Sequence, residues 1–126
     1  MKSLGKHLIL ELYDCDPEVI NDLAAVEKIL TEAVNISQAT IIRPYFHKFN
    51  PHGISGVIVI AESHFTIHTW PEYGYCAIDI FTCGEQIDPA KPLDFIKEKL
   101  KAKQTSVMEI KRGVLNLPDE ELKHKP

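Results

Sequence analysis

The chain of 126 residues lacks the features that mark several specialised protein classes. No apolar run approaches the roughly 20 residues of a membrane-spanning helix. A signal peptide is not expected either, because the apolar run near the start is too short, is interrupted by Glu11 and is followed by no small-residue cleavage site. No basic run precedes the lysines of the last predicted helix, and the formal net charge is -4, which argues against a nucleic-acid surface. The sequence therefore predicts a cytoplasmic protein that binds neither membranes nor nucleic acids.

Cysteine is also scarce, and its three positions form no CxxC pair. A disulfide framework and a structural zinc site are therefore not expected. Cys15 and Cys76 are predicted to be buried free thiols. Cys83, at the end of a predicted strand, is the cysteine best placed to reach a cleft, where a thiol can act as a general acid, although burial is the more common state of a cysteine taken alone. His64 and His68 share one side of a strand, but HFTIH does not match the helical HExxH pattern. No metal site is predicted.

Length and composition predict a single domain over residues 1–126, since 44% apolar and 25% charged residues are ordinary globular values. Alternation and helical spacing predict the order β-α-β-β-β-β-α-β. The predicted strands span His7–Asp14, Thr40–Phe49, Ser55–Ala61, Phe65–Trp70, Tyr75–Thr82 and Ser106–Lys111. One helix is predicted over Pro17–Asn35 and a second from Asp88-Pro89, and the chain after Gly113 is expected to fray.

This order predicts an α+β fold, a two-layer sandwich of an antiparallel sheet with two helices on one face. Pro44 places the second strand at an edge or a bulge. The third and fifth strands are apolar on both faces, so a second cover is needed beyond the helices. A partner subunit's sheet is the simplest cover, which predicts a homodimer with a sheet-on-sheet interface.

Groups that can do chemistry are densest between Gly53 and Gly84. A polar turn at residues 62–64, ESH, separates two strand-like runs, and a histidine and a cysteine follow it. Taken alone, Ser63 is typical of a turn residue whose hydroxyl bonds nearby backbone, and His68 is typical of a satisfied strand histidine. Spacing alone specifies no reaction.

The combination ESHFTIHTWPEYGYCAIDIFTCG is more specific than any single residue, and FHKFNPHGISGVIVIAES and GKHL precede it. Together they resemble the short prokaryotic S-adenosylmethionine decarboxylase proenzymes, over nearly the whole chain except the C-terminal tail. The resemblance implies an αββα dimer with paired sites near the interface between sheets. It also implies a pyruvoyl cofactor that the protein makes from its own serine.

The resemblance implies that Ser63 attacks the carbonyl of Glu62 and that the amide becomes an ester. The histidine matching His68 removes the serine α-proton, assisted by the hydroxyl of Ser55, and elimination releases a β chain of residues 1–62. An α chain of residues 63–126 then begins with the pyruvoyl group, which forms a Schiff base with the substrate amine. Cys83 matches the acid that protonates the substrate α-carbon after carbon dioxide leaves.

The substrate contacts are also implied by the resemblance. Phe49 and Trp70 are candidates for the adenine and Glu72 for the ribose hydroxyls, and Glu11 is a candidate for lining the site. A carboxylate suits two neighbouring hydroxyls, and a cationic sulfonium favours aromatic faces. Aromatic residues near turns are more often packing groups, so these assignments depend on the resemblance.

Three functions remain open. The first is decarboxylation of S-adenosylmethionine to the aminopropyl donor used in spermidine and other polyamine synthesis. The second keeps the pyruvoyl chemistry but acts on another amine such as arginine, because pocket walls can change while the turn persists. The third is a non-catalytic ligand-binding module in which the turn is never cleaved.

Overall fold

The computed structural model describes residues 3–83 and 90–116, which form a six-stranded antiparallel sheet with three α-helices in that range. The strands are β1 (Ser3–Tyr13), β2 (Ile41–Lys48), β3 (Ile54–Ile60), β4 (Ser63–Trp70), β5 (Tyr75–Cys83) and β6 (Gln104–Val114). The helices are α1 (Pro17–Ile20), α2 (Leu23–Ile36) and α3 (Ala90–Lys99), and a 3-10 helix spans Pro71–Tyr73. The sheet order is β2-β3-β4-β5-β1-β6. The predicted α+β class and antiparallel sheet are confirmed.

Alternation along the strands builds the core, as the sequence predicts. Leu8, Leu10 and Leu12 of β1 are 8%, 1% and 0% exposed, and they pair in register with the buried Ile80, Ile78 and Cys76 of β5, respectively. These side chains form one cluster with buried residues of α2 and α3. Cys76 and Cys15 are buried free thiols, which confirms that prediction.

The face of the sheet that points away from this core carries Ser55 and His68. It is formed by the odd-numbered residues of β1, β2, β3 and β5 and the even-numbered residues of β4, and we call it the open face. The apolar side chain of Val59 on this face is 41% exposed. The single chain thus leaves apolar surface of the sheet uncovered, as expected of a face that packs against a second sheet.

The prediction of one helix over residues 17–35 is wrong, because two helices occupy this range. The helix α1 ends at Ile20, and Asp22 is the N-cap of α2, since its carboxylate accepts a hydrogen bond from the Ala25 N–H at 3.2 Å. Asp16 caps α1 in the same way, through the Glu18 N–H at 2.9 Å. An aspartate that bonds the backbone locally starts a new helix more readily than it continues an old one.

The predicted turn at residues 62–64 is displaced. Ser63 pairs with Ile60 of β3 and with Thr82 of β5, so it is the first residue of β4, and the turn consists of Ala61 and Glu62. The pairing with β5 extends the strand into a polar sequence that alternation alone assigns to a turn.

The two edge strands of the sheet are β2 and β6. β2 is an edge strand, and its register shifts near Pro44, between Ile41 and Arg43, which confirms that prediction. β6 is longer than expected, because β1 pairs along it from Ser3 to Tyr13. The predicted helix start at residues 88–89 and the tail from residue 117 lie outside the described residues. No described helix has the length and apolar character that a membrane crossing needs.

Candidate active site

Ser63 has an unusual backbone and an unusual side chain. Its φ is 146°, a value that residues with a side chain rarely adopt and that costs about 1–3 kcal/mol in such positions. Its Oγ is buried and has no hydrogen-bond partner in the described part of the chain. A strained residue with an unpartnered hydroxyl is poised for chemistry rather than for stability.

The carbonyl that precedes Ser63 is held and polarised. The Cys83 N–H donates a hydrogen bond to the Glu62 carbonyl oxygen at 2.8 Å. The Glu62 carboxylate accepts a second bond, from the Thr40 N–H at 3.2 Å, which fixes the side chain as well. A backbone N–H directed at a carbonyl oxygen stabilises the negative charge that develops when a nucleophile attacks the carbonyl carbon.

Cys83 closes this group, which we call the cleavage cluster (Glu62, Ser63 and Cys83). Cys83 is 9% exposed and is therefore buried in the single chain, as the residue alone predicts. Its place between β1, where it pairs with Gly5, and the Glu62 carbonyl accounts for the burial. It is nevertheless more exposed than Cys15 at 4% and Cys76 at 0%.

Ser55 and His68 form a second group, which we call the hydroxyl–imidazole pair. They are register partners on β3 and β4, and the Ser55 Oγ lies 2.8 Å from the His68 Nδ1. Both residues lie on the open face. A hydroxyl paired with an imidazole is an arrangement that can accept or deliver a proton.

The two groups are separated within one chain. Ser63 and His68 are five residues apart on β4, which corresponds to about 16 Å along an extended strand. The structure therefore brings Glu62, Ser63 and Cys83 together, and Ser55 and His68 together, but it does not join the two groups in a single subunit.

A cavity of about 310 Å³ lies on the open face beside the hydroxyl–imidazole pair. Its lining residues are Tyr45, His47, Phe49, Ser55, Gly56, Val57, Thr66 and His68. Phe49, Ser55 and His68 were predicted site residues, whereas Tyr45 and His47 were missed. Their alternation with Phe49 at every second position of an extended run was the signal that places all three on one face.

Trp70 and Glu72 lie near this cavity but do not line it. The Trp70 ring is 6.5 Å from the ring of His68 and 5.3 Å from that of Tyr75. Glu72, in the 3-10 helix, contacts His52, whose Nε2 lies 3.0 Å from the glutamate Oε2. Sequence reasoning found no signal for His52, which lies in the turn between β2 and β3.

Glu11 faces the same side of the sheet, and both of its carboxylate oxygens are engaged. The Tyr75 hydroxyl lies 2.6 Å and 2.7 Å from them, and the Tyr13 ring stacks on Tyr75 at 5.6 Å. Burial and the hydrogen bond to Glu11 raise the pKa of the Tyr75 phenol. The phenol therefore stays neutral and donates to Glu11.

A further polar row crosses the centre of the open face and was missed by sequence reasoning. The Thr66 hydroxyl donates to Asp79 Oδ2 at 3.2 Å, and the His7 Nε2 lies 3.5 Å from Asp79 Oδ1, too far for a good hydrogen bond. Arg112 approaches the Nδ1 of His7 at 3.4 Å. In residues 3–83 and 90–116, no three His, Cys, Asp or Glu side chains converge to hold a metal ion.

Comparisons with known proteins identify the family. A sequence model of the S-adenosylmethionine decarboxylase family matches residues 6–113. The S-adenosylmethionine decarboxylase proenzyme of Thermodesulfovibrio yellowstonii is 53% identical over 125 residues, which cover 99% of this chain and 93% of that protein. The proenzyme of Thermotoga petrophila is 55% identical over 113 residues, or 90% of this chain and 87% of that protein.

A solved structure agrees with these sequence matches. The crystal structure of the adenosylmethionine decarboxylase from Aquifex aeolicus superposes with a TM-score of 0.87 and 33% identity, covering 94% of this chain and 98% of that one. The chain is therefore an enzyme of the S-adenosylmethionine decarboxylase family.

Proposed function

We propose that this enzyme cleaves its own backbone between Glu62 and Ser63, converts Ser63 into a pyruvoyl group, and decarboxylates S-adenosylmethionine to the aminopropyl donor of polyamine synthesis. One observation carries the proposal. The buried Oγ of Ser63, which lacks a hydrogen-bond partner within the described chain, belongs to a strained residue whose preceding carbonyl accepts the Cys83 N–H at 2.8 Å. The name proenzyme, given to the relatives, is consistent with it.

The first step uses only groups of the cleavage cluster. The Ser63 Oγ attacks the Glu62 carbonyl carbon, and the Cys83 N–H stabilises the negative charge that develops on the oxygen. The C–N bond then breaks, the Ser63 nitrogen takes up the proton that the hydroxyl loses and becomes a free amine, and an ester replaces the amide. Because the hydroxyl and the carbonyl belong to adjacent residues, their effective concentration is high. Release of the strain at Ser63 favours the ester.

The second step removes the Ser63 α-proton and expels the Glu62 carboxylate, which ends the chain 1–62. Water then converts the dehydroalanine at position 63 to the keto group and releases ammonia. His68 supplies the base, and its 2.8 Å contact with Ser55 orients the imidazole. β3 and β4 pair from Ser55–His68 to Ile60–Ser63, so the two products remain associated after cleavage.

His68 lies about 16 Å along β4 from Ser63 of the same chain, so in this proposal the base comes from a second subunit. We place the open faces of two copies against each other in an αββα homodimer. A two-fold axis makes each contact reciprocal, so the His68 of each copy can reach the Ser63 of the other when the axis passes midway along β4, near Thr66. Both subunits then complete both sites.

A keto group at position 63 would provide an electrophile for the substrate amine and an acceptor for the electrons that carbon dioxide leaves behind. The residues around it bind and orient the substrate. Phe49 and Trp70 offer aromatic faces to the adenine and the sulfonium, and Glu72 offers its carboxylate to the ribose hydroxyls. The Cys83 thiol delivers the proton to the substrate α-carbon.

Mass spectrometry under denaturing conditions tests the proposal. The purified enzyme is expected to give two chains, residues 1–62 and a chain starting at position 63 with a keto-acyl terminus, whereas Ser63→Ala gives one intact chain. Release of carbon dioxide is then measured with S-adenosylmethionine and with arginine in parallel. An intact chain in active material ends the mechanism, and turnover of arginine alone changes the substrate.

A further inference from the structure

The side chain of His52 reaches from one connection of the sheet to another. It belongs to the turn at residues 50–53 between β2 and β3, and its Nε2 lies 3.0 Å from Oε2 of Glu72 in the 3-10 helix after β4. Both side chains are partly exposed, at 39% and 37%. Even as a salt bridge, a contact this exposed contributes little to the stability of a fold, so its geometry is the more informative property.

Backbone contacts hold the His52 turn in place. The Phe49 N–H donates to the Gly53 carbonyl at 2.8 Å, which closes the turn. The Gly53 N–H donates to the Asn21 side chain at 3.0 Å, which ties the turn to the connection between α1 and α2. His52 is therefore presented to Glu72 from a fixed backbone.

Hydrogen bonds of Thr69 also link the 3-10 helix after β4 to the turn between β2 and β3. The Ile54 N–H donates to the Thr69 Oγ1 at 3.0 Å, and that hydroxyl donates to the Ile20 carbonyl at 2.8 Å. Thr69 lies three residues before Glu72. The two connections thus share one buried anchor, and the His52–Glu72 contact joins them again at the surface.

We propose that His52 is a positioning residue that holds the Glu72 carboxylate toward the two vicinal hydroxyls of the substrate ribose, and so contributes to the choice of an intact ribonucleoside. This inference rests on the proposed function. A carboxylate has two oxygens and about four acceptor positions. An N–H bond to Oε2 fixes the plane of the group and leaves Oε1 and the remaining lone pairs for two neighbouring hydroxyls.

Substrate pairs separate this role from a purely structural one. In the His52→Ala variant, KM for S-adenosylmethionine is expected to rise by roughly fivefold to tenfold, the effect of one lost charge-assisted hydrogen bond, with little change in kcat. For the 2′,3′-dideoxy analogue, which lacks both hydroxyls, the variant and the wild type are expected to have the same KM. His52→Gln keeps an N–H donor and is expected to recover part of the difference.

A double-mutant cycle and a matched control complete the test. In a Glu72→Gln background, His52→Ala is expected to change KM no further, because the two residues act as one unit. Lys48→Ala, an exposed change whose residue pairs with Ile54 at the other end of the same turn, is expected to behave as wild type. Melting temperatures verify that each variant is folded.

The outcomes distinguish this inference from the proposed function. If the wild type is cleaved and decarboxylates S-adenosylmethionine, but His52→Ala leaves KM unchanged or raises KM equally for both substrates, the positioning role is refuted and the function stands. If the wild type remains uncleaved and inactive on S-adenosylmethionine, the proposed function fails and the inference fails with it.

Discussion

In the proposed mechanism, Cys83 offers two separate groups to two separate reactions, and Ser63 offers one group to two. Its N–H holds the Glu62 carbonyl at 2.8 Å, whereas its thiol is assigned to a later proton transfer to the substrate. A backbone N–H survives any substitution except proline, so the two roles can be separated by mutation. Ser63, by contrast, has one hydroxyl on which both cleavage and cofactor formation depend.

We predict that Cys83→Ala is cleaved between Glu62 and Ser63 but turns over S-adenosylmethionine roughly 10²–10⁴-fold more slowly, the range for loss of a general acid. Chain masses and carbon dioxide release, measured on the same sample, check the two halves of this prediction. Ser63→Ala serves as the uncleaved control. A Cys83→Ala chain that remains intact would show that the thiol, and not only the N–H, is needed for cleavage.

The second residue-scale prediction concerns Tyr75 and pH. Burial and the bond to Glu11 raise the phenol pKa above its ordinary value of about 10, so the folded state favours the neutral form. The stabilisation is complete below pH ~10 and is lost as the pH rises from the unfolded-state pKa through the folded-state pKa. The free-energy difference between wild type and Tyr75→Phe should therefore be flat up to pH ~10 and shrink above it.

Urea unfolding of the two proteins across the alkaline range measures this difference, in which the other titrating groups cancel. Tyr73→Phe is the control, because Tyr73 is 76% exposed. A wild-type advantage that grows with pH would contradict the assignment of Tyr75 as the donor to Glu11.

At the scale of the elements, one buried threonine connects the helical layer to the site. Thr69 of β4 is 5% exposed, and its hydroxyl accepts from the Ile54 N–H and donates to the Ile20 carbonyl at the end of α1. Valine has the same shape but leaves both backbone groups unsatisfied. Each unsatisfied buried group costs about 1–3 kcal/mol.

We predict that Thr69→Val lowers the free energy of unfolding by about 2–3 kcal/mol, whereas Thr69→Ser, which keeps the hydroxyl, loses about 1 kcal/mol. Urea denaturation with a common slope provides both values. Equal losses in the two variants would assign the role to the methyl group and not to the hydrogen bonds.

The strands were predictable because their burial follows the sequence period. Leu8, Leu10 and Leu12 alternate, and all three lie in the core. The start of β4 was not predictable in this way. The polar Ser63 joins the strand through pairing with Thr82, 19 positions along the chain, and local propensity contains no information on such a contact.

Some residues of the candidate site were also predictable from the sequence, and others were not. The resemblance nominated Ser55 and His68, and their 2.8 Å contact follows from the register of β3 and β4. His52 could not be nominated, because its contact with Glu72 depends on the relative placement of two connections. Residues that act through regular strand pairing are accessible to sequence reasoning, whereas those that meet between loops require the fold.

At the scale of the whole molecule, two valines allow a test of which face of the sheet packs against a second copy: the open face or the opposite face, which carries the core. Val59 of β3 is on the open face and 41% exposed, whereas Val107 of β6 pairs with Leu10 and lies on the core side, 44% exposed. Equal chemistry and nearly equal exposure make them a matched pair. Only Val59 would be buried between two stacked sheets.

We predict that Val59→Lys shifts the protein from dimer to monomer and slows cleavage, because a charge buried in a sheet-on-sheet interface without a partner is costly. Val107→Lys is expected to remain a cleaved dimer. Sedimentation velocity and chain masses give the two readings. Loss of the dimer in Val107→Lys alone would place the interface on the other face.

The proposal that each cleavage uses residues of two subunits leads to a complementation experiment. His68→Ala keeps an intact cleavage cluster, and Ser63→Ala keeps an intact hydroxyl–imidazole pair, so each variant alone should remain uncut. When the two chains are co-expressed and distinguished by a mass tag, a mixed dimer pairs the Ser63 of one chain with the His68 of the other. Random pairing of equal amounts should then cleave about half of the His68→Ala chains and none of the Ser63→Ala chains. An uncut His68→Ala chain in verified mixed dimers would mean that the base acts within its own subunit, which the separation of about 16 Å along β4 could accommodate only if the strand were remodelled.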